Sequence, residues 1–129
     1  MTARGFANDF QPVLQPPRVE LQLAEIFYDT GEIRFRYSRY KTPTGEWVRH
    51  GLFVAYHPNG FVACMGQYED GFETGQWSDF HPNGQRSAEG HYVLGQEDGV
   101  WRSWSDDGVL EQSQYVRKGV EETSSSASV

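Results

Sequence analysis

Apolar residues along this chain come in short bursts, and their flanks are rich in aromatic and β-branched residues. Nowhere does an apolar spacing of helical period run for a useful length. The bursts are broken by Asn59-Gly60, Asn83-Gly84 and Asp107-Gly108, and between those by the Gly-punctuated, charged stretches 69–74, 94–98 and 118–122. Asn-Gly and Asp-Gly tolerate positive φ at both centres of a type I′ turn, so each pair predicts a two-residue β-hairpin loop. The charged stretches read as return loops. The predicted fold class is all-β, built from tandem antiparallel hairpins.

The bursts repeat. At a spacing of 24 residues Gly51, Gly75 and Gly99 align, as do Phe53, Trp77 and Trp101, and Tyr56, Phe80 and Trp104. Gly66-Gln67-Tyr68 matches Gly90-His91-Tyr92, and Gly71, Gly95 and Gly119 close the units. In the third unit Gln114 replaces the glycine and the tyrosine arrives one residue early, as Tyr115. A looser unit precedes these, with Tyr28-Asp29-Thr30-Gly31, Tyr40 and Gly45. A fixed period of this length marks a repeat architecture. It divides the chain into a Pro-containing extended arm (1–20), a repeat domain (21–122) and a tail (123–129) expected to be disordered, since it has nothing to bury. Within the repeat domain lie a divergent unit (21–50) and regular units at 51–74, 75–98 and 99–122.

A two-residue loop at Asn59-Gly60 also fixes a register. It places Pro58 opposite Phe61, Tyr56 opposite Ala63, Val54 opposite Met65 and Phe53 opposite Gly66. The next unit pairs Trp77 with Gly90 and Phe80 with Ser87. Rings laid over bare glycine backbone are a sensible cross-strand arrangement. Alternation puts Phe53, Trp77 and Trp101 on one face with Tyr68 and Tyr92, and Tyr56, Phe80 and Trp104 on the other.

Aromatics make up 15% of the chain, which suits a thin structure covered by flat side chains better than a thick aliphatic core. No apolar run approaches the roughly 18 residues of a membrane span. The first twenty residues lack the apolar stretch of a signal peptide. The lone Cys64 has no disulfide partner, so a reducing, cytoplasmic setting is expected. The net charge of -7 is uneven. Residues 1–66 carry seven basic and six acidic groups, whereas residues 67–129 carry four basic and twelve acidic, giving -8. That half repels phosphates and attracts basic proteins, so a protein partner is expected and not nucleic acid or an anionic membrane.

The units GLFVAYHPNGFVACMGQYEDGFET, GQWSDFHPNGQRSAEGHYVLGQED and GVWRSWSDDGVLEQSQYVRKGVEE resemble MORN repeats. They look most like the bacterial variant found in the YwqK-family antitoxins. The shared pattern is Gly-x-Trp-x-x-Tyr, Asn-Gly, Gly-x-Tyr, Gly, over roughly residues 23–122. The resemblance implies an elongated, single-layer antiparallel sheet, and its antitoxin label implies neutralisation of a toxin by direct binding. The first unit, the arm and Gln114 depart from the pattern.

Catalytic and metal-binding residues are not expected. His57 and His81 precede successive turns, but equivalent residues two strands apart are about 9.6 Å away from each other. One zinc would need their nitrogens about 3–4 Å apart. They read as polar turn-flanking residues, and Cys64 as a packed small hydrophobe. No nucleophile, acid and base set is present, so neither an enzyme nor a cofactor is expected. What rises above background is the second face. Tyr56, Phe80 and Trp104 would form an exposed stripe there, joined by Val54, Pro58, Phe61 and Met65, with Glu89 and Glu111 as acidic neighbours. Exposed apolar stripes mark binding surfaces. The expected function is therefore protein binding, as an antitoxin or immunity protein acting on a basic toxin. The alternative is a structural scaffold or assembly subunit, and a homo-oligomer through the same face competes with a foreign partner.

Overall fold

The computed structural model describes residues 20–118 and 120–125. The described residues form nine strands: β1 Gln22–Phe27, β2 Ile33–Lys41, β3 Trp47–Tyr56, β4 Val62–Glu69, β5 Phe72–Phe80, β6 Arg86–Val93, β7 Gln96–Trp104, β8 Leu110–Arg117 and β9 Val120–Ser125. They lie side by side in chain order as one antiparallel sheet, and none of the described residues is helical. The all-β hairpin-repeat fold expected from the 24-residue period is the fold observed. The arm at 1–19 lies outside the described residues.

From β3 onward two turn families alternate, and their chemistry differs from that expected. At His57–Phe61 the Gly60 N–H donates to the His57 carbonyl at 2.9 Å, and the His57 N–H donates to the Phe61 carbonyl at 2.8 Å. Gly60 is left-handed (φ 94°), but Asn59 is not among the residues with positive φ. This is a β-turn centred on Pro58 and Asn59 followed by a glycine bulge, not a type I′ turn at Asn59-Gly60. The same pair of bonds recurs at Tyr28–Glu32, Thr42–Glu46, His81–Gln85 and Ser105–Val109. Pro43, Pro58 and Pro82 suit the first corner of this turn through their fixed φ, but Asp29 and Asp106 take the same corner, so the shared feature is the left-handed glycine that follows. The type I′ loops sit where return loops were expected. Asp70-Gly71 (φ 49° and 92°) and Leu94-Gly95 (φ 48° and 84°) each join directly paired residues, Glu69↔Phe72 and Val93↔Gln96.

Away from the turns the expected register holds: Phe53↔Gly66, Val54↔Met65, Ala55↔Cys64 and Trp77↔Gly90. Next to the wider turns it shifts by one. Tyr56 faces Val62 instead of Ala63, Phe80 faces Arg86 instead of Ser87, and Trp104 faces Leu110. Ala63, Ser87 and Glu111 become the extra residues of bulges. Because the extra residue lies on the partner strand, alternation holds from Phe53 to Tyr56, Trp77 to Phe80 and Trp101 to Trp104, and the two aromatic ladders stay on opposite faces. The tail also differs: β9 continues to Ser125, paired with Ser113 of β8. Ladder hydrogen bonds need no buried side chain, which is why a Ser-rich segment can be a strand.

The core is one face of the sheet. Ala24, Tyr37, Phe53, Ala55 and Trp77 are buried together, with Phe35, Cys64, Tyr68, Tyr92 and Trp101 packed against them. Rings follow one another at 5–6 Å between centroids: Phe53 to Tyr68 at 5.4 Å, Tyr68 to Trp77 at 5.4 Å, Trp77 to Tyr92 at 5.9 Å and Tyr92 to Trp101 at 5.2 Å. Three of these four contacts are close to perpendicular, the geometry that sets ring edge against ring face. Each indole lies over the glycine of the strand before it. A Cβ on Gly66 would sit 2.1 Å from Trp77, and one on Gly90 would sit 2.0 Å from Trp101. The ring covering each glycine therefore comes from the following unit, not from the residue paired with it across the hairpin.

Candidate protein-binding face

The face opposite the ladder takes its side chains from alternate positions of the same strands. Leu52, Val54 and Tyr56 come from β3, Met65 from β4, Phe80 from β5, Glu89 from β6 and Trp104 from β7. Tyr56, Phe80 and Trp104 are half-buried instead of fully exposed. Val54, expected to face a partner, is buried at 7% exposure and unavailable as a contact. It is flanked by Arg36 on β2 and Met65 on β4, and these longer side chains enclose a short β-branched one. Phe61 is open at 51%, and Met65 at 38%. Leu52, two residues before Val54 on the same face, is open at 51%. It was missed by following only the repeated aromatics, although alternation along β3 signals it.

The acidic members separate. Glu89 lies on this face and accepts from Arg86 at 2.7 Å, while the Arg86 guanidinium sits 5.3 Å from the centre of the Trp104 ring. Glu89, Arg86 and Trp104 thus form one connected group. Glu111 is the bulged residue of β8, passed over between Leu110 and Gln112, and is not brought into register with Glu89.

The turn residues hold neighbouring units together. The His57 Nε2 lies 2.8 Å from the Phe80 carbonyl, and the His81 Nε2 lies 2.8 Å from the Trp104 carbonyl. The Asn59 side-chain amide donates to the Pro82 carbonyl and that of Asn83 to the Asp106 carbonyl, each at 2.8 Å. In the divergent unit Tyr28 does the same work, its hydroxyl donating to the Tyr56 carbonyl at 2.6 Å. These side chains satisfy the strand-end carbonyls of Tyr56, Phe80 and Trp104 and the turn carbonyls of Pro82 and Asp106. His57 and His81 are thereby tied to separate units. No group of three or more metal-ligating side chains occurs among the described residues.

On the ladder face Cys64 pairs with Ala55 on one side and Asp79 on the other. Burial, with Asp79 adding to it, pushes its thiol up to about 11, which keeps the sulfur protonated and a poor nucleophile at neutral pH. Asp79 remains exposed, and partial desolvation alone raises its carboxyl. Tyr92 is pushed up to about 12, first by burial and then by Glu97 and other nearby acids. The Cys64 and Tyr92 shifts follow from packing within the ladder.

Residues 73–93, from the start of β5 through β6, match a family model described as a MORN repeat variant. The match supports a MORN-repeat protein, and repeats of this kind point to a protein-binding or scaffold role. No curated protein and no solved structure matches the chain.

Proposed function

We propose that this chain is a non-catalytic protein-binding module that acts as an antitoxin or immunity protein, neutralising a toxin by direct contact. The observation that carries the reading is the second face of a single-layer sheet. Its core needs only the ladder face, yet the other face presents Tyr56, Phe80 and Trp104 beside the exposed Leu52, Phe61 and Met65. Apolar patches of this kind on a polar surface are contact sites, and aromatic residues dominate binding energies. The -8 charge of residues 67–129 supports a basic partner, whose capture it would accelerate. The resemblance of the units to YwqK-family antitoxins supports the toxin as that partner.

The test is inhibition of a toxin encoded beside this chain's gene. The expected result is stoichiometric inhibition by the wild type. Phe80→Ala combined with Trp104→Ala should weaken it about thirtyfold or more, equivalent to about 2 kcal/mol. Inhibition unchanged in that variant would remove the face from the account, and absence of inhibition would remove the antitoxin function. A scaffold role has its own support: among the described residues β1 and β9 each pair on one side only, leaving strand edges for further assembly.

A further inference from the structure

The divergent unit breaks the repeat in a way that packing does not require. In the regular units a tyrosine of one strand faces a glutamate of the next across a tight turn, as Tyr68↔Glu73 and Tyr92↔Glu97. The corresponding pair between β2 and β3 is Arg39↔Arg49. Residue 49 lies 24 positions before Glu73, so a guanidinium stands where the repeat otherwise carries a carboxylate. Like charges directly opposed across a sheet are destabilising.

Asp70, which lines the same cleft, balances only one of the two charges. Among the described residues neither arginine has a carboxylate within ion-pairing distance, and the Arg39 Nε is buried without a hydrogen-bond partner. Both are held by rings instead. The Arg39 guanidinium lies 3.8 Å from the centre of the Trp47 ring. That of Arg49 lies 5.1 Å from the centre of Tyr37, 5.4 Å from Phe53 and 5.6 Å from Tyr68. The rings hold the two guanidinium groups in place, and the Arg39 Nε–H remains an unused donor. Arg39, Arg49, Tyr37 and Trp47 line a cleft of about 480 Å³ together with Val48, Asp70 and Gly71. Asp70 is engaged elsewhere, accepting from the Tyr40 hydroxyl at 2.8 Å.

We propose that the Arg39–Arg49 cleft is a binding site for a carboxylate carried by a polypeptide, either an acidic side chain or a free C-terminus. A carboxylate matches the fork of a guanidinium edge. With two arginines and Asp70 the lining carries one net positive charge, which suits a monoanion. A phosphate dianion would bring a second negative charge into the cleft against Asp70. The site lies on the ladder face, so it is separate from the outer aromatic stripe and does not depend on the function proposed above.

The test follows the arginine Nε–H resonances of the full chain by NMR while short peptides are added. Blocked oligoglutamate should shift the Arg39 and Arg49 signals saturably, and blocked oligoglutamine should leave them still. Oligoglutamine with a free C-terminus distinguishes the two carboxylate sources. Arg49→Glu restores the residue of the regular units, so it should fold and should lose at least about tenfold in affinity. Arg49→Gln gives the same reading if that variant unfolds. Phe80→Ala should leave the titration unchanged. The proposal is overturned if neither carboxylate source shifts the two signals, if Arg49→Glu binds as well as wild type, or if inorganic phosphate saturates them at lower concentration than either peptide.

Discussion

Glycine and tryptophan act here as one unit spread over two strands. Gly66 is bare because Trp77 lies on it, and Gly90 because Trp101 lies on it. Where the ring is smaller the partner is larger: Phe53 packs beside Tyr37, with centroids 5.7 Å apart. Where the glycine is lost, at Gln114, the residue 24 positions after Trp101 is Ser125, so no following indole needs the space. Gly66→Ala should therefore cost about 2 kcal/mol by forcing the indole aside. Trp77→Ala should cost about 3–5 kcal/mol, but adding Gly66→Ala to it should cost little more. Denaturant unfolding of the three variants checks this double-mutant cycle, and additive losses would contradict it. The alignment of glycines and tryptophans was legible in the sequence, but the pairing was not, because a 24-residue repeat does not tell which neighbouring strand lends its ring. Asp79 gives a residue-scale prediction in pH. Partial desolvation raises its folded pKa, so the folded state favours the protonated form. Its contribution is most favourable below the ordinary value of 3.8 and is lost as pH rises through the folded pKa. Asp79→Asn should melt like wild type near pH 3 and above it at neutral pH. A gap that fails to widen with pH would refute the assignment.

Element-scale behaviour is set by the two turn families. The hairpins at Asn59-Gly60 and its repeats were legible as hairpins, whereas their loop type was not read correctly. Pro58 and Pro82 lack the N–H that a two-residue loop would require just there, but Ser105–Val109 makes the same wider turn without a proline. The true type I′ corners begin with Asp70 and Leu94, and only the first is a residue that commonly accepts positive φ. Leu94 is strained at φ 48° and 62% exposed. Leu94→Asn should therefore raise stability by about 0.5–1 kcal/mol, read as a higher denaturant midpoint with unchanged slope. A lower midpoint would mean that Leu94 makes a packing contact worth more than its backbone strain. The wider turns are bound to their successors through His57, Asn59, His81 and Asn83, so each hairpin end is fastened to the next unit as well as to itself.

At the scale of the molecule, the described residues form a one-layer sheet with a division of labour between its faces. The ladder face contains the buried cluster, and the other face keeps a half-buried aromatic stripe with exposed apolar neighbours. Alternation and register made the separation of the two ladders legible in the sequence. The burial of Val54 and the displacement of Glu111 were not, since the first depends on neighbours from adjacent strands and the second on a bulge. The charge gradient was legible too, but the opposed arginines of the divergent unit appear only once β2 and β3 are set in register. The most direct measurement compares Trp77→Ala with Phe80→Ala by equilibrium unfolding, since the two residues lie on one strand and face opposite sides. The ladder variant should lose about 3–5 kcal/mol, and the outer one about 1 kcal/mol or less. Equal losses would contradict the division, because both ladders would then be holding the fold and neither would be free for a partner.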